Sequence, residues 1–459
     1  MQTFDTICSI STAPGIGAIA IIRVSGSEAF RVSESLFNES AQFGETAPNV
    51  AKYAEIFQKE WLIDQVVFTK FKAPHSYDGE DMVEISCHGS RFIQQKILEL
   101  LLNSGCRLAN PGEFTMRAFL NGKMDLPQAE AIADLIDSQS ESSHKLAIHQ
   151  LKGAFSQKMN DLRQQFIDLS ALLELELDFS EEDVEFADRK QFVKLLADLK
   201  NEISGLIESF KLGNVLKNGI PVAIIGKPNV GKSTLLNAML QEDRAIVSHI
   251  PGTTRDTIED VFTIEGISFR FIDTAGIRSS DDEIEQFGIQ RTFRAIEKAD
   301  IILYLIDIND TSISEIEEEM LFIQQNVDIE HKKFIFVANK IDQLRQTPKQ
   351  FLKWEDRNVV YISAKRQVNI DEIGELLVKF VQGRNISDNL LLTNARHYDL
   401  MSKICEDIEH IEQGLQEKVP TDLIAIDVRD ILEKFGLLTG TITDDDILNT
   451  IFGKFCIGK

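Results

Sequence analysis

The stretch Gly226–Ser233 reads GKPNVGKS and decides the fold of the middle of the chain. It fits the pattern GxxxxGK[ST] and lies between an apolar run, Pro221–Ile225, and a helical pattern, Thr234–Leu240. A phosphate chain needs this arrangement, because glycines let backbone N–H groups converge on its oxygens and the helix N-terminus adds partial positive charge. The sequence therefore predicts a phosphate-binding loop in which Lys232 neutralises the phosphates and Ser233 binds Mg²⁺.

Three further motifs follow in chain order, each after an apolar run of the kind that forms a buried parallel strand. They are DTAG after Phe269–Ile272, NKID after Phe334–Ala338, and SAK after Val359–Ile362, at Asp273–Gly276, Asn339–Asp342 and Ser363–Lys365. The Asp342 carboxylate can accept two hydrogen bonds from guanine N1–H and the 2-amino group, which adenine lacks. Four motifs in this order predict a GTPase domain with GTP as its substrate.

The residues around the predicted γ-phosphate leave two questions open. Residues 252–256 read GTTRD, and a threonine there would complete the Mg²⁺ shell when GTP is bound, but the spacing does not choose between Thr253 and Thr254. Ile277 follows DTAG directly, where Ras-type GTPases have a glutamine that orients water. An isoleucine side chain cannot orient water, so hydrolysis needs another residue, and we expect another subunit to take part.

Periodicity divides the rest of the chain around this α/β insert. Residues 1–121 mix short β-type runs (Ala18–Val24, Val66–Phe71) with helical stretches, whereas residues 122–215 show apolar positions at helical spacing. After residues 216–383, the α/β insert, the helical pattern returns in 384–459. We therefore expect a multidomain α+β and α/β protein: an N-terminal α+β domain, a helical domain in two sequence halves and an inserted Ras-like P-loop domain.

Composition limits the partners and the compartment. Of 459 residues, 43% are hydrophobic and 26% charged, the net charge is −25, and all four segments are more acidic than basic. No segment therefore resembles a basic nucleic-acid-binding domain, and if RNA is a substrate we expect a partner to supply part of the phosphate-binding surface. No apolar run approaches bilayer length, and the five cysteines show neither CxxC nor metal-ligand spacing. We expect a cytoplasmic protein with no membrane partner.

Short groups of residues outside the G motifs are also distinctive. They lie at Asp5–Ile7, Gly15–Gly17, Ile22–Gly26, Gly79–Asp81, Cys87–Gly89, Pro111–Phe114, Arg117–Asn121 and Gln128–Ile136, and the C-terminal Phe455–Lys459 reads FCIGK. Through these groups and the G motifs, the chain resembles, essentially end to end, the MnmE (TrmE) family of tRNA modification GTPases, and FCIGK is the most specific mark of the resemblance. GTPases of the Era and Der type share the G motifs but not these flanking groups.

The resemblance implies a function beyond what the motifs predict. It implies GTP hydrolysis within a complex that builds a C5 carboxymethylaminomethyl-type group on the wobble uridine of tRNA. The N-terminal domain would bind a tetrahydrofolate one-carbon donor, such as 5-formyltetrahydrofolate, and would mediate homodimerisation. The partner would be an FAD-binding protein of the MnmG family in a heterotetramer. The G domains would pair across a bound K⁺, which acts like an arginine finger.

The resemblance and the motifs together assign the candidate site residues. Residues expected to contact GTP are Asn229, Val230, Gly231, Lys232, Ser233, Thr234, Ser248, His249, Ile250, Pro251, Gly252, Thr253, Thr254, Asp273, Thr274, Ala275, Gly276, Asn339, Lys340, Asp342, Ser363, Ala364 and Lys365. The metal ligands are Ser233 and Thr254 for Mg²⁺, and Asn229, Ser248, Ile250 and Thr253 for K⁺. The folate residues are Arg23, Glu84, Lys123 and Lys459. Glu285 would orient the attacking water, beside Lys232 as a catalytic group, and Cys456 is a candidate catalytic thiol.

Four of these assignments have a plainer alternative on the residues alone. Glu285 fits an ordinary carboxylate at a helix N-terminus, Asn229 a turn residue, and Arg23 a surface charge. Cys456 fits a small buried hydrophobic residue as well as a chemical one. At the level of the whole chain, the alternative is a regulatory or ribosome-assembly GTPase that does no modification chemistry.

Overall fold

The computed structural model describes residues 5–178, 189–241, 260–272, 285–344, 358–382, 391–417, 419–443 and 445–458. These residues form two compact units. Unit 1 takes its residues from 1–133, 150–192 and 407–459, and unit 2 from 134–149 and 193–406. Within the described residues, no helix combines the length and the apolar character needed to span a bilayer.

Unit 1 begins with a six-stranded sheet in the order β3-β4-β5-β2-β1-β6, antiparallel except for the β1–β6 pair. Its elements are β1 (Ile7–Ile10), β2 (Ile19–Ser25), α1 (Ala29–Glu34), a 3₁₀ turn (Glu39–Ala41), β3 (Ala51–Gln58), β4 (Trp61–Phe71), β5 (Met82–His88), α2 (Arg91–Asn103), β6 (Arg107–Leu108) and α3 (Glu113–Leu120).

The two faces of this sheet differ because side chains alternate along each strand. In β2, Ala20, Ile22 and Val24 are buried in the core under α1 and α2. Ile19 and Arg23, at the alternate positions, belong to the opposite face. That opposite face therefore carries the polar residues of the N-terminal candidate site.

Helices follow the sheet in sequence. They are α4 (Leu126–Asp137), α5 (Glu141–Leu151), α6 (Ala154–Asp178) and α7 (Arg189–Asn218), and the chain returns to helices after the insert. Long apolar stripes at spacings of three and four residues explain why these segments are helical and where they pack. In α6, for example, Met159, Leu162 and Phe166 follow one another at these spacings, and all three are buried.

Unit 2 contains the inserted α/β fold. Its elements are β7 (Ile220–Ile225), α8 (Lys232–Gln241), β8 (Asp260–Ile264), β9 (Ile267–Phe271), α9 (Glu285–Lys298), β10 (Ile301–Asp307), α10 (Ile313–Asn326), β11 (Lys333–Asn339), a 3₁₀ turn (Ile341–Gln343), β12 (Val359–Tyr361) and α11 (Ile370–Gln382). The sheet order is β12-β11-β10-β7-β9-β8, and only the β8–β9 pair is antiparallel.

The central strands are buried on both faces, as their continuous apolar runs predict. In β7, Val222 and Ile224 belong to one core, and Ala223 and Ile225 belong to the core on the other side of the sheet. The carboxyl ends of β7, β10 and β11 meet at one edge, and that edge is where ligands bind in open α/β sheets. The fold thus brings the predicted phosphate loop and the NKID motif to one place.

After the insert, the described residues contain three further helices: α12 (Ala395–Glu417), α13 (Thr421–Thr439) and α14 (Asp445–Phe452). Within unit 1, α13 packs on α6, and the buried rings of Phe166 and Phe435 lie 5.6 Å apart. Within unit 2, the rings of Phe210 in α7 and Tyr398 in α12 stack at 4.4 Å.

The fold class expected from the sequence is confirmed. Individual boundaries differ slightly from the expected ones: β4 begins at Trp61 rather than Val66, and Ile272 lies beyond the end of β9. The sequence also predicts a solvated helix junction at the acidic stretch Asp178–Asp188; Asp178 is the last residue of α6, and the rest of the stretch lies outside the described residues.

Candidate functional site

The GKPNVGKS loop connects β7 to α8, and its lysine folds back over it. Lys232 Nζ donates to the carbonyl oxygens of Gly226 at 2.7 Å and Lys227 at 3.0 Å. Burial lowers the pKa of the Lys232 ammonium, because removing a charge from water disfavours its charged form. An anionic phosphate beside this ammonium would replace the lost solvation, so the loop is preorganised for a phosphate ligand.

Two glycines are required by the loop's close contacts and by its backbone conformation. Gly226 has φ 143°, and a Cβ there would lie 2.3 Å from the Leu305 carbonyl oxygen of β10. Gly231 has φ 103°, and a Cβ there would lie 2.5 Å from Asn339 Nδ2. Any side chain at either position would force the loop away from β10 or from the NKID motif.

Asn339, the last residue of β11, is buried and joins three loops. Its Nδ2 donates to the Val230 carbonyl oxygen at 2.8 Å. Its Oδ1 accepts hydrogen bonds from the Lys340 amide at 2.8 Å and the Ala364 amide at 2.9 Å. The phosphate loop, the NKID motif and the SAK motif are therefore held together by a single amide side chain.

Lys340 follows in the left-handed conformation, with φ 70°. Its Nζ lies 2.7 Å from the Asp307 carboxylate at the end of β10. Burial raises the pKa of Asp307, but the hydrogen bonds from Lys340 and Asn309 outweigh burial and lower it overall. The ion pair fixes the direction in which the NKID backbone leaves β11.

Asp342 and the SAK motif face each other across the base side of the site. Asp342 Oδ1 accepts a hydrogen bond of 2.6 Å from the Ser363 hydroxyl, which lowers the pKa of the carboxyl group. Arg366 Nε lies 3.8 Å from the other carboxylate oxygen. The carboxylate is thereby held ionised and oriented, ready to accept two N–H donors from a base edge.

The first turn of α8 presents hydroxyl groups beside the phosphate loop. Ser233 and Thr234 are both exposed, whereas Val230 is buried beneath the loop. Within the described part of the chain, the Ser233 hydroxyl has no hydrogen-bond partner. Its oxygen is available to a hard cation, so this position fits a Mg²⁺ ligand.

A second polar cluster lies on the N-terminal sheet in unit 1. Arg23 in β2 pairs with Glu84 in the register of β5, and Arg23 Nη2 lies 2.7 Å from Glu84 Oε1. The guanidinium lies over the rings of Tyr77 at 5.0 Å and Phe114 at 5.5 Å. Arg23 is therefore not an ordinary surface charge, since its side chain is only 17% exposed.

The lysine assigned to the same site comes from the turn after α3. Lys123 Nζ donates to the Pro74 carbonyl oxygen at 2.8 Å. Gly79 adjoins it, since a Cβ on that glycine would lie 3.1 Å from Asn121 Cβ and 3.5 Å from Lys123 Cδ. Lys123 is thus fastened to the loop that precedes β5, the strand that carries Glu84.

The C-terminal tail lies against the N-terminal sheet. Phe455 is buried with Phe452 and Leu126, Ile457 forms an antiparallel bridge with Pro111, and a Cβ on Gly458 would lie 2.2 Å from the Ile10 carbonyl oxygen. Cys456 between them is exposed. The structure thus does not support Cys456 as a buried packing residue.

Similarity to known proteins extends over essentially the whole chain. A family model for the MnmE helical domain matches residues 126–456, and one for the GTP-binding protein TrmE N-terminus matches residues 6–123. The tRNA modification GTPase MnmE of Flavobacterium psychrophilum is 46% identical over 458 residues, which are 99% of both chains. Those of Flavobacterium johnsoniae and Cytophaga hutchinsonii are 47% identical over 99% of this chain and 99% and 98% of theirs.

The chain belongs to the MnmE family of tRNA modification GTPases. The expected family resemblance is confirmed, and the chain is a GTP hydrolase of this family. Through Asn339, the G-site geometry shows how a MnmE-type chain holds its phosphate loop, NKID and SAK motifs together.

Some predicted MnmE-type site residues lie outside the described residues. They are Ser248, His249, Ile250, Pro251, Gly252, Thr253, Thr254, Asp273, Thr274, Ala275, Gly276 and Lys459. Ile277, the residue in the place of a Ras-type glutamine, lies outside them too. Glu285 is the first residue of α9, but its side chain is also outside what the structure describes.

The sequence reasoning missed Asp307 as a residue of the site. Asp307 ends β10, a run of apolar residues, and a carboxylate at the carboxyl end of a buried strand was the available signal. Its partner Lys340 lies 33 residues later, and no local pattern joins the two positions.

Proposed function

We propose that this chain is the GTP-hydrolysing component of a complex that modifies C5 of the tRNA wobble uridine. In this proposal it uses a tetrahydrofolate one-carbon donor and an FAD-binding partner of the MnmG family. The observation that carries the proposal is similarity to MnmE proteins over the whole chain, including the N-terminal sheet with Arg23 and Glu84 and the tail that lies on it. A G domain serving as a simple switch would require neither.

The guanine-binding side of the site supports GTP as the nucleotide. Asp342 is held by Ser363, and Asn339 fixes the loop from which Asp342 projects. Adenine offers this carboxylate neither of the two N–H donors of guanine and places an unpaired ring nitrogen opposite it. ATP is therefore disfavoured.

Mg²⁺ and K⁺ both fit residues beside the phosphate loop. Ser233 would hold Mg²⁺ together with Thr254, and the cation would neutralise charge on the phosphates. Asn229 has φ 62° and an exposed side chain, whose amide has no hydrogen-bond partner within the described residues. Its oxygen is free for K⁺, with Ser248, Ile250 and Thr253 as the other proposed ligands. Glu285 would orient the attacking water, since Ile277 cannot.

The N-terminal cluster suits a tetrahydrofolate in its donor set. The Glu84 carboxylate can accept from the N–H groups of a pterin, much as Asp342 does from guanine, whereas Arg23, Lys123 and Lys459 offer positive charge to carboxylates. The bound folate would supply a one-carbon unit. Cys456 remains a candidate for that chemistry, because its thiol is exposed on the tail beside the N-terminal sheet.

Exposed apolar side chains on the sheet face that also carries Arg23 and Glu84 support the homodimer. Ile19, Tyr53 and Val67 lie on the face opposite the α1–α2 core and are 64%, 53% and 42% exposed. Tyr53 and Val67 are paired directly across β3 and β4. A face of this kind on a folded domain usually marks an interaction site. We propose that a second copy covers it, in a protein that acts in the cytoplasm with tRNA and the flavoprotein.

One experiment tests the proposal as a whole. Cells lacking the gene are complemented with the natural chain, Arg23→Ala or Glu84→Gln, and their tRNA nucleosides are measured by mass spectrometry. We expect the knockout and both variants to lack the C5-modified uridine, and both purified variants to hydrolyse GTP while binding reduced folate at least tenfold more weakly. Unchanged wobble nucleosides in the knockout would contradict the proposal and favour a regulatory GTPase.

A further inference from the structure

A contact within unit 2 joins the start of helix α5 to the G-domain sheet. The Gly266 carbonyl oxygen accepts two hydrogen bonds from Ser142, one from its amide at 3.2 Å and one from its hydroxyl at 3.0 Å. The two residues are 124 positions apart in the sequence, so this contact is not a local turn. Neither Ser142 nor Gly266 belongs to a GTP-binding motif, so the motifs alone do not predict this connection.

Helix α5 needs an outside hydrogen-bond acceptor because N–H groups of its first turn have no acceptor within the helix. Ser140 and Ser143 cap it reciprocally: the Ser143 amide donates to Ser140 Oγ and the Ser140 amide to Ser143 Oγ, both at 3.1 Å. The Ser142 amide is one of the N–H groups that the first turn of a helix leaves without an intrahelical acceptor. The hairpin carbonyl supplies that acceptor from outside the helix.

The hairpin side of the contact is equally specific. Glu265 and Gly266 form the two-residue turn between β8 and β9, with φ values of 48° and 77°. A Cβ on Gly266 would lie 3.1 Å from Glu141 Cβ, which is closer than an ordinary contact. Gly266 thus serves both the turn, which requires positive φ, and the approach of helix α5.

The position of this hairpin in the sequence connects the contact to the GTP site. β8 follows the stretch with Gly252–Asp256, and β9 leads to Asp273–Gly276, so the hairpin joins the two motifs that the sequence predicts to lie around the γ-phosphate. The strands are held in the core by Phe262, Phe269 and Phe271, all fully buried. The hairpin would therefore shift as one piece, and such a shift would change the contact at its turn.

A second tie fixes the other end of the same helical segment. Lys217, near the end of α7 and just before β7, lies 2.7 Å from the Asp134 carboxylate in α4. Residues 134–149 are thus held at Asp134 and at Ser142, both within unit 2. Of the two ties, only that at Ser142 reaches the hairpin that joins Gly252–Asp256 to Asp273–Gly276.

We propose that Ser142 is a positioning residue of the GTPase cycle: through the Gly266 carbonyl it fastens the β8–β9 hairpin to helix α5. The nucleotide state then changes the stability of the first turn of α5, and loss of the tie changes the turnover of GTP. The coupling free energy between nucleotide binding and the stability of this turn acts in either direction. The change in turnover is a separate, kinetic consequence of how the hairpin holds the two stretches that flank it. The proposal rests on the GTPase activity of the family and not on folate or tRNA chemistry.

Hydrogen exchange on the full-length protein tests this coupling directly. Exchange of peptides within residues 141–151 is compared with GDP and with a non-hydrolysable GTP analogue bound. In the natural chain we expect the two nucleotides to give exchange rates that differ at least about threefold there, the scale of one net hydrogen bond. Ser142→Ala removes the hydroxyl bond and leaves the amide bond, so we expect that difference to become smaller. Equal rates in the natural chain, or an unchanged difference in the variant, would overturn the proposal.

Kinetics with matched variants separates positioning from general loosening. Ser142→Ala should lower kcat for GTP at least about threefold with KM within twofold, because the P-loop and Asp342 are untouched. Ser142→Thr keeps the hydroxyl and should restore kcat. Ser138→Ala is the control, since Ser138 Oγ is likewise part-buried but donates to the Leu135 carbonyl of the helix directly before it. If Ser138→Ala matches Ser142→Ala, or if threonine fails to rescue, the proposal is wrong.

A variant on the hairpin side keeps the test independent of Ser142. Gly266→Asn preserves access to positive φ while placing a side chain against Glu141. We expect the same loss of nucleotide-dependent exchange in α5 as for Ser142→Ala, and no further loss when the two changes are combined. Additive effects of the two changes would show that they act through separate contacts, contrary to the proposal.

Discussion

At the scale of the residue, the nucleotide site depends on side chains that bind one another before they bind a ligand. Asn339 spans three loops, Lys340 is held by Asp307, and Asp342 is held by Ser363. Each of these contacts removes a rotamer freedom that ligand binding would otherwise have to restrict. The site is therefore largely preformed on the base side.

The choice of guanine depends on Asp342. Asp342→Asn replaces one carboxylate oxygen with an N–H donor, so it loses an acceptor for guanine and gains a donor for the 2-oxo group of xanthine. We expect GTP affinity to fall by about 1–3 kcal/mol, the cost of an unpaired buried polar group, and xanthosine triphosphate to bind better than GTP. Titration with fluorescent nucleotides measures both. Comparable ATP and GTP affinities in the natural chain would contradict the assignment.

The sequence predicts some residues of this site and misses others. Gly226–Ser233, Asn339–Asp342 and Ser363–Lys365 follow strands as their motifs predict. Asp307 and Ser142 escaped prediction, because their partners, Lys340 and Gly266, lie 33 and 124 residues away. Motifs record chemistry that one loop performs, whereas these contacts arise only when the fold brings distant segments together.

At the scale of the element, a buried ion network holds α3 to the edge of the N-terminal sheet. Arg117 in α3 is fully buried and lies 2.8 Å from Glu113 and 2.9 Å from Glu80. Arg107 in β6 contacts the same Glu113 carboxylate at 2.7 Å. Such a network is costly to desolvate as a whole, but removing one member leaves an uncompensated charge.

Glu113→Ala should therefore destabilise unit 1 by about 3 kcal/mol. Burial raises the pKa of Glu113, but Arg107, the Asn110 amide and Arg117 outweigh it and lower the pKa overall. The stabilisation is thus present above the unfolded pKa and is lost as pH falls through the folded pKa. The gap between the natural chain and Glu113→Ala should shrink in acid below pH 4.5. The free energy of unfolding is measured in urea for both chains, with hydrogen exchange of residues 107–120 as the local probe.

The matched control for this prediction is Glu28→Ala. Glu28 pairs with Arg31 at 2.5 Å, but both side chains are more than half exposed. Exposed pairs contribute little, so this change should leave the unfolding midpoint nearly unaltered at every pH. A loss equal to that of Glu113→Ala would mean that burial does not set the strength of these pairs.

Element boundaries show where periodicity is informative and where it is not. The doubly buried strands β7 and β11 were predicted within one residue, because continuous apolar runs end sharply at Gly226 and Asn339. β4 was predicted five residues short, since Trp61–Gln65 mixes apolar and acidic residues. Asp64 is buried there and contacts His88 of β5 through the ring Nδ1 at 2.6 Å and the backbone amide at 2.8 Å, and that partner lies on another strand.

At the scale of the whole molecule, hydrolysis should require two G domains. Ile277 provides no group to orient water, and Asn229 offers an amide beside the phosphate loop that has no partner within the described residues. We expect faster GTP turnover in KCl than in NaCl at equal ionic strength, a comparison that removes generic screening. Asn229→Ala should reduce the K⁺ advantage, and Glu285→Ala should lower kcat with GTP binding kept. Equal rates in both salts would exclude a role for K⁺.

The last prediction separates the C-terminal tail from the GTPase. Phe455 is buried among α4 and α14 and should be kept, so the informative truncation removes only Cys456–Lys459, which includes the contacts of Ile457 with Pro111 and Gly458 with Ile10. We expect at least a tenfold loss of reduced-folate binding and loss of wobble-uridine modification, with K⁺-dependent GTP hydrolysis within twofold of the natural chain. Cys456→Ser removes the thiol at nearly constant volume.

The two variants together distinguish a structural role of the tail from a chemical role of the Cys456 thiol. If Cys456→Ser abolishes modification while folate stays bound, the exposed thiol takes part in the one-carbon reaction. If that variant modifies tRNA normally, the tail acts by contacting folate or the N-terminal sheet, and Cys456 has no chemical role. Nucleoside analysis of tRNA, equilibrium folate binding and GTP turnover are measured on the same preparations. A truncation that abolished GTP hydrolysis while keeping folate bound would reverse the proposed order, in which folate binding depends on the tail and hydrolysis does not.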